Sequence, residues 1–205
     1  MRALQAVSLS DRFFLPLAGL AAAGLIVLAL QIRPIGQDPV ITETRFLMEG
    51  SALAQLIPGP GTEVVFDPAA PGGPVARVSA TSTLEAAGAL SAGVGAVLPP
   101  AFEARVAGAT IEVTITLAGA DRELEEAAIG YFTVGLGDTG WRRRPVSAEG
   151  GVMTLRHDVP AAAPVGNNDW VGVWPDLDGA GRALSIRRIE VAILAAGPAL
   201  DAPAP

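Results

Sequence analysis

An uncharged run of twenty residues near the start of the chain restricts the fold more than any other feature. Phe13–Ile32 reads FFLPLAGLAAAGLIVLALQI, and Arg33 ends it. At about 1.5 Å per residue, a helix of this length spans roughly the 30 Å hydrocarbon core of a bilayer. The run is longer than the apolar part of a secretory signal, and no small-x-small cleavage site follows it. We therefore predict an uncleaved transmembrane helix over 13–32, with a cleaved signal as the alternative.

The charges on either side of this run predict its orientation. Arg2, Arg12 and the amino terminus precede it, whereas acidic residues dominate after Arg33. The positive-inside bias places the amino terminus in the cytoplasm, so the C-terminal domain is predicted to be periplasmic. The predicted divisions are a cytoplasmic arm (1–12), the membrane helix (13–32), a linker (33–39), an exported domain (40–195) and a disordered tail (196–205).

Small residues in the predicted membrane helix form a candidate packing surface. They include Gly19, Ala23 and Gly24. Small residues let membrane helices approach closely, so this surface is a candidate contact with the helix of another membrane subunit. Glycine and alanine are also common in membrane helices that make no such contact.

The composition limits what the exported domain can bind and catalyse. Beyond Arg33, eleven arginines against twenty acids give a net charge of −9, which disfavours nucleic acid as a partner. The chain has no cysteine and a single histidine, His157, so disulfides, thiolate chemistry and sites with two imidazoles are excluded. All fourteen basic residues are arginine, which, with the abundant alanine, glycine and proline, is typical of GC-rich bacteria. We therefore expect a single-pass protein of the bacterial inner membrane.

The exported part alternates short apolar strands with glycine- and proline-rich turns. The clearest strand is ATIEVTITLAG (109–119), in which every second residue from Ile111 to Leu117 is apolar. Other strands are predicted at 41–46, 62–68, 75–82, 129–136, 152–159, 169–174 and 183–194, the last with a bulge near Arg187–Arg188. We interpret 84–95 as irregular, with a strand near 96–98. Eight or nine strands separated by turns predict an antiparallel β-sandwich.

Three segments between Leu98 and Leu194 resemble the galactose-binding-like jelly rolls that are common among carbohydrate-binding modules. They read LPPAFEARVAGATIEVTITLAGA, YFTVGLGDTGWRRRPVS and VGNNDWVGVWPDLDGAGRALSIRRIEV. An aromatic lead-in, a Gly-Trp turn and a Pro-Asp turn before the last strand carry the resemblance, which covers about half of the chain. It implies an all-β, antiparallel jelly-roll sandwich after the membrane helix and makes a glycan a candidate ligand. A fold alone does not determine a function.

The tryptophans and one arginine run are the candidate ligand-binding residues. Trp170 and Trp174 share one face of a strand, and we expect that face to be core, with stacking on a sugar as the alternative. We expect Trp141 to be more exposed, because it follows a turn and precedes Arg142, Arg143 and Arg144. This basic cluster suits an anionic glycan or an acidic partner, unless it is a solvated strand end.

The remaining polar motifs give weaker predictions. Asp176 and Asp178 lie in a glycine-rich segment that we interpret as a hairpin turn, with a calcium site as the alternative. No other cofactor is predicted. His157–Asp158 could form part of a triad, but no G-x-S-x-G motif accompanies it, and Glu123, Glu125 and Glu126 share one turn rather than facing across a cleft. We therefore predict that the protein is not an enzyme.

Two functions fit these observations. The first is a non-catalytic, membrane-anchored module that binds an envelope or secreted polysaccharide, which predicts exposed aromatic rings beside a groove. The alternative is an accessory subunit of a larger inner-membrane complex, with its helix packed on partner helices and its sandwich capping the periplasmic face. That function predicts an exposed apolar patch on the sandwich.

Overall fold

The structure, a computed structural model, describes residues 37–88, 93–133, 137–161 and 169–195. The predicted membrane segment 13–32, including Gly19, Ala23 and Gly24, and the predicted tail 196–205 lie outside the described residues. Within the described ranges, no helix is long and apolar enough to span a bilayer.

Twelve strands and three short helices are found among the described residues. In chain order they are β1 (Val40–Ile41), β2 (Arg45–Glu49), a 3₁₀ helix (Gly50–Gln55), β3 (Ile57–Pro58), β4 (Thr62–Asp67), β5 (Val75–Ala80), α1 (Leu84–Ala87), β6 (Val94–Val97), α2 (Pro100–Val106), β7 (Thr110–Ala120), β8 (Glu126–Phe132), β9 (Arg142–Pro145), β10 (Gly151–Asp158), β11 (Trp170–Trp174) and β12 (Ala183–Ala195).

The strands form two antiparallel sheets. In the larger sheet β12 is central, with β7 and then β10 on one side and both β2 and β5 on the other. The register of β12 against β7 shifts at Arg187, between the part that pairs with β5 and the part that pairs with β2. The predicted bulge is thus confirmed, and it lies where β12 changes partners. The smaller sheet has the order β3-β6-β11-β8-β9.

Alternate residues of the two sheets form one apolar core. Ile111, Val113 and Ile115 of β7 have no exposed surface, as their alternation predicts, and Val171 and Val173 of β11 belong to the same cluster. Burying one such side chain fully is worth about 1.5–3 kcal/mol relative to leaving it exposed. The predicted all-β sandwich is therefore confirmed, and its core lies between the sheets.

The described parts of the segment 84–95, residues 84–88 and 93–95, are more regular than we predicted. They contain the single turn of α1, which the Thr83 hydroxyl caps by accepting a hydrogen bond from the Ala86 backbone N–H at 3.0 Å. Strand β6 begins at Val94, before the predicted position 96, because its residues pair with β3 and β11. The high glycine content concealed both elements: it lowers helix and strand propensity, whereas a side-chain cap and tertiary pairing stabilise them.

Helix α2 was not predicted. Pro100 occupies its first position, where the fixed φ of proline favours a helix and its missing N–H costs little. The helix buries Phe102, whose ring centroid lies 6.0 Å from that of Phe46 in β2. Because α2 has only seven residues, its sequence shows too little periodicity to be recognised.

Candidate functional site

The smaller sheet has an outer face, opposite the core, and β11 determines which side chains lie there. Val171 and Val173 enter the core, so Trp170, Gly172 and Trp174 lie on the outer face. The expectation that both tryptophans are core residues therefore holds for Trp174, which is fully buried in a second, smaller apolar cluster with Ala80 and Ala128, and not for Trp170, which is half-buried. The β-branched valines fill the space between the sheets, which leaves the larger indoles on the other side of the strand.

Four aromatic side chains cluster on this outer surface, which we call the aromatic face: Phe132, Trp141, Trp170 and Trp174. Phe132 and Trp170 are register partners on β8 and β11, and their rings lie 17° from parallel with centroids 5.6 Å apart. The Trp141 ring is 4.9 Å from Phe132 and meets Trp174 edge-on at 6.1 Å. These are favourable aromatic geometries, so the cluster is well packed.

A row of glycines lies beneath these rings. Gly95, Gly172 and Gly130 are register partners on β6, β11 and β8. A Cβ atom on Gly130 would lie 2.6 Å from the Phe132 ring, and one on Gly95 would lie 3.7 Å from the Trp170 ring. The missing side chains therefore let aromatic rings lie close to the strand backbone. The sequence carries this signal, a glycine on each of three paired strands, but only the register reveals it.

The four rings differ in exposure. Phe132 and Trp174 are buried, whereas Trp141 and Trp170 are half-buried. Trp174 is covered by side chains of α1 and by Leu177, and its Nε1–H donates to the Asp176 carbonyl at 2.9 Å. Trp174 thus has a structural role, and Trp141 and Trp170 are the rings that a ligand can touch. Trp141 is less exposed than we expected, because it packs between Phe132 and Trp174.

The indole nitrogens of the two half-buried rings lack acceptors. Nε1 of Trp141 and Nε1 of Trp170 are both buried and have no hydrogen-bond partner. A buried donor without a partner costs about 1–3 kcal/mol. The aromatic face therefore combines apolar ring surface with two unpaired donors.

The three consecutive arginines do not act as one cluster. Arg144 donates to the Thr154 carbonyl at 2.8 Å and to the Arg143 carbonyl at 2.9 Å, which ties β9 to β10. Arg143 lies opposite Ala128, on the outer side of the sheet, 3.7 Å from a Glu126 oxygen. It lines a cavity of about 380 Å³ together with Glu123, Glu125 and Glu126. Because Glu126 lies beside it and further carboxylates line the same cavity, Arg143 is a poor site for an anion. Arg142 is exposed.

The turn that carries Asp176 and Asp178 is organised around Arg182. Asp176 is fully buried, and its carboxylate lies 2.7 Å from the guanidinium of Arg182, which also pairs with Asp178. Burial raises the pKa of Asp176, but hydrogen bonds from the Arg182 side chain and from two backbone N–H groups outweigh burial and lower it overall. A calcium ion would have to displace Arg182. Across the described ranges, no three acidic or histidine side chains are arranged to hold a metal.

A second buried polar group was not predicted from the sequence. The hydroxyl of Tyr131, in the core, donates to Asp169, whose backbone N–H donates to the Glu103 carboxylate at 2.8 Å. Burial raises the pKa of Asp169; the Tyr131 hydrogen bond lowers it less, and the nearby Glu103 charge raises it further. The group links α2 to the start of β11.

His157 and Asp158 point to different partners. His157 Nε2 donates to the Gly137 carbonyl at 2.6 Å, whereas Asp158 accepts from the Thr110 hydroxyl at 2.6 Å. Adjacent residues on a strand project to opposite faces, which separates these two side chains. They therefore do not form the relay that a triad requires.

Comparison with known proteins identifies the fold of the domain. No protein-family model matches the chain, and no curated protein matches it. The C-terminal family 22 carbohydrate-binding module of Clostridium thermocellum Xyn10B matches with a TM-score of 0.50 at 13% identity, over 77% of this chain and 98% of that one. The tandem family 22 modules of Paenibacillus barcinonensis Xyn10C match at 0.49 and 9% identity, over 70% of this chain and 43% of that one. A family 4 carbohydrate-binding module matches with a TM-score of 0.43 at 11% identity, over 77% of this chain and 96% of that one.

The match to the single Clostridium module shows the fold of the domain. The chain spans less than half the length of the tandem structure and nearly all of the single Clostridium module. The sandwich is thus a jelly roll like that of the carbohydrate-binding modules, as the sequence resemblance implies. An arabinofuranosidase and a cyclase also match, with TM-scores of 0.46 and 0.37.

Proposed function

We propose that the sandwich is a non-catalytic module that binds a polysaccharide through the aromatic face. The observation that carries this proposal is the position of Trp141 and Trp170, which lie half-buried on the outer face of a sheet whose other face is core. Indole rings offer flat apolar surface to the C–H faces of a sugar. The likeness to carbohydrate-binding modules supports a glycan as the ligand class.

The charges favour a neutral glycan over an anionic one. Arg143 lies beside Ala128, the register partner of Trp174, and a Glu126 oxygen already lies 3.7 Å from the Arg143 guanidinium. The net charge of −9 beyond Arg33 would also repel an acidic polymer at low ionic strength. A neutral chain would bind through stacking and hydrogen bonds, and its affinity would depend little on salt.

We further propose that the uncharged segment 13–32 anchors the module in the bacterial inner membrane, with the sandwich in the periplasm. The length of the segment and the arginines before it support this location. An anchored module would hold an envelope or secreted polysaccharide close to the membrane. An accessory role in a larger membrane complex is the second candidate, and an exposed apolar groove at the start of the domain favours it.

The test is a binding measurement on the purified full chain in detergent against a panel of neutral and acidic polysaccharides. We expect Trp170→Ala to weaken binding about tenfold, which corresponds to about 1.4 kcal/mol. Phe66→Ala is the matched control, since Phe66 is a half-buried aromatic residue on β4 of the larger sheet. Equal affinity of Trp170→Ala and the parent, or no binding to any polysaccharide, would overturn the proposal.

A further inference from the structure

The start of the domain carries an apolar groove. The groove has a volume of about 460 Å³, and its lining includes Pro39, Ile41, Val97, Pro99 and Pro100. Exposure is 42% for Ile41 and 37% for Val97, which is high for large aliphatic side chains. Contiguous apolar surface of this kind is typical of interaction sites.

The apolar surface continues along the edge of the smaller sheet. Ile57 of β3 is 56% exposed and lies opposite Gly95, two residues from Val97 on the same face of β6. We call Pro39, Ile41, Ile57 and Val97 the entry patch. Its one charged neighbour in the groove is Asp38, although acids predominate in the domain as a whole.

The position of the entry patch in the chain indicates what covers it. Five residue steps separate Ile32, the end of the uncharged run, from Gln37, where the described chain begins. Five extended residues span at most about 18 Å. Pro39 and Ile41 follow immediately, so a domain anchored through segment 13–32 has this surface within reach of the bilayer.

We propose that the entry patch docks on the lipid bilayer, with its side chains at the boundary between headgroups and acyl chains. This inference rests on the membrane anchoring proposed above. Apolar surface that enters this boundary leaves water, whereas a charged surface would lose its hydration there. Val97 and Trp170 are register partners, so docking holds the edge of the aromatic face at the membrane surface.

The absence of cysteine from the chain makes a direct test simple. Val97→Cys in the full chain is labelled with an environment-sensitive fluorophore and reconstituted into phosphatidylcholine–phosphatidylglycerol vesicles, with and without lipids brominated along the acyl chains. Val152→Cys is the matched control, since Val152 is a 59% exposed strand valine on β10, at the opposite edge of the larger sheet from β1. Ile41→Cys tests the patch at a second position. Flotation of the vesicles is measured on the same samples.

We expect quenching by brominated lipid at positions 97 and 41 to exceed that at 152 by about twofold or more, because only the first two would be buried, roughly 5–10 Å into the boundary between headgroups and acyl chains. Flotation with equal quenching at all three positions overturns the docking and leaves the anchor intact. Failure to float overturns both the anchor and the docking. Protection of the labels in native membranes but not in vesicles shows that a protein partner covers the patch, which overturns the lipid assignment.

Discussion

Two glycines in the turn between β11 and β12 allow backbone strain and packing to be measured separately. Gly179 has φ +66° and Gly181 has φ +82°, so both adopt the left-handed region that other residues disfavour. A Cβ atom on Gly179 would lie 2.3 Å from the carbonyl carbon of Ser82 and 2.6 Å from the Thr83 nitrogen. A Cβ atom on Gly181 would have no heavy atom within 4 Å.

The two alanine variants should therefore differ in stability. In Gly181→Ala the only cost is that of holding alanine in the left-handed backbone region, about 1–2 kcal/mol. Gly179→Ala adds the cost of forcing a methyl group against backbone, about 1–3 kcal/mol, for a combined loss of about 2–5 kcal/mol. The contact matters for the site because Ser82 and Thr83 lead into α1, whose side chains cover Trp174.

Thermal unfolding of the full chain, followed by far-ultraviolet circular dichroism, measures this difference. In a domain of this size each kcal/mol lowers the Tm by about 2–4 °C. We expect a fall of a few degrees for Gly181→Ala and at least twice that fall for Gly179→Ala. Equal falls would show that the turn is not packed against the strand end at Ser82, and the account of how Trp174 is covered would be wrong.

Three further predictions concern polar groups and tryptophans of the same domain. The raised pKa of Asp169 means that this group ionises first in the unfolded chain, so its contribution to stability is greatest below the usual aspartate pKa of about 4 and is lost as the pH rises through the folded value. Asp169→Asn should flatten this part of the curve of unfolding free energy against pH, measured by urea unfolding at several pH values. An unchanged pH dependence would contradict the raised pKa of Asp169. Trp174→Ala should cost about 3–5 kcal/mol and Trp170→Ala less than half as much, since Trp174 is fully buried and Trp170 is not; equal losses by chemical denaturation would refute this ranking. EDTA should leave the Tm unchanged because Arg182 already neutralises Asp176, and a fall restored by Ca²⁺ would show that a cation site exists.

The strands of the sandwich could be predicted where one face is apolar and the other polar. In β7 the buried isoleucines and valine alternate with half-buried Glu112 and threonines, so the period of two was visible. The turn after Trp174 was visible for a similar reason, since aspartate and glycine favour turn geometry. Helices α1 and α2 could not be predicted, because each is too short to show a helical period and depends on a cap or on tertiary packing.

The aromatic face could not be located from β11 alone, because both faces of this strand are apolar. The sequence WVGVW (170–174) places two valines on one side and two tryptophans with Gly172 on the other, and periodicity does not say which side is core. The register of β11 with β6 and β8 shows which side is core. Gly172 is flanked by Gly95 and Gly130, and three adjacent glycines inside a close-packed core would leave a gap that neighbouring side chains have to fill. On the outer face the same gap accommodates aromatic rings lying against the sheet: an added Cβ atom would lie 3.7 Å from the Trp170 ring at Gly95 and 2.6 Å from the Phe132 ring at Gly130. Gly95→Ala, whose methyl group would meet the Trp170 ring at an ordinary 3.7 Å, should therefore change polysaccharide affinity more than stability, and a loss of stability with unchanged affinity would place this row outside the binding surface.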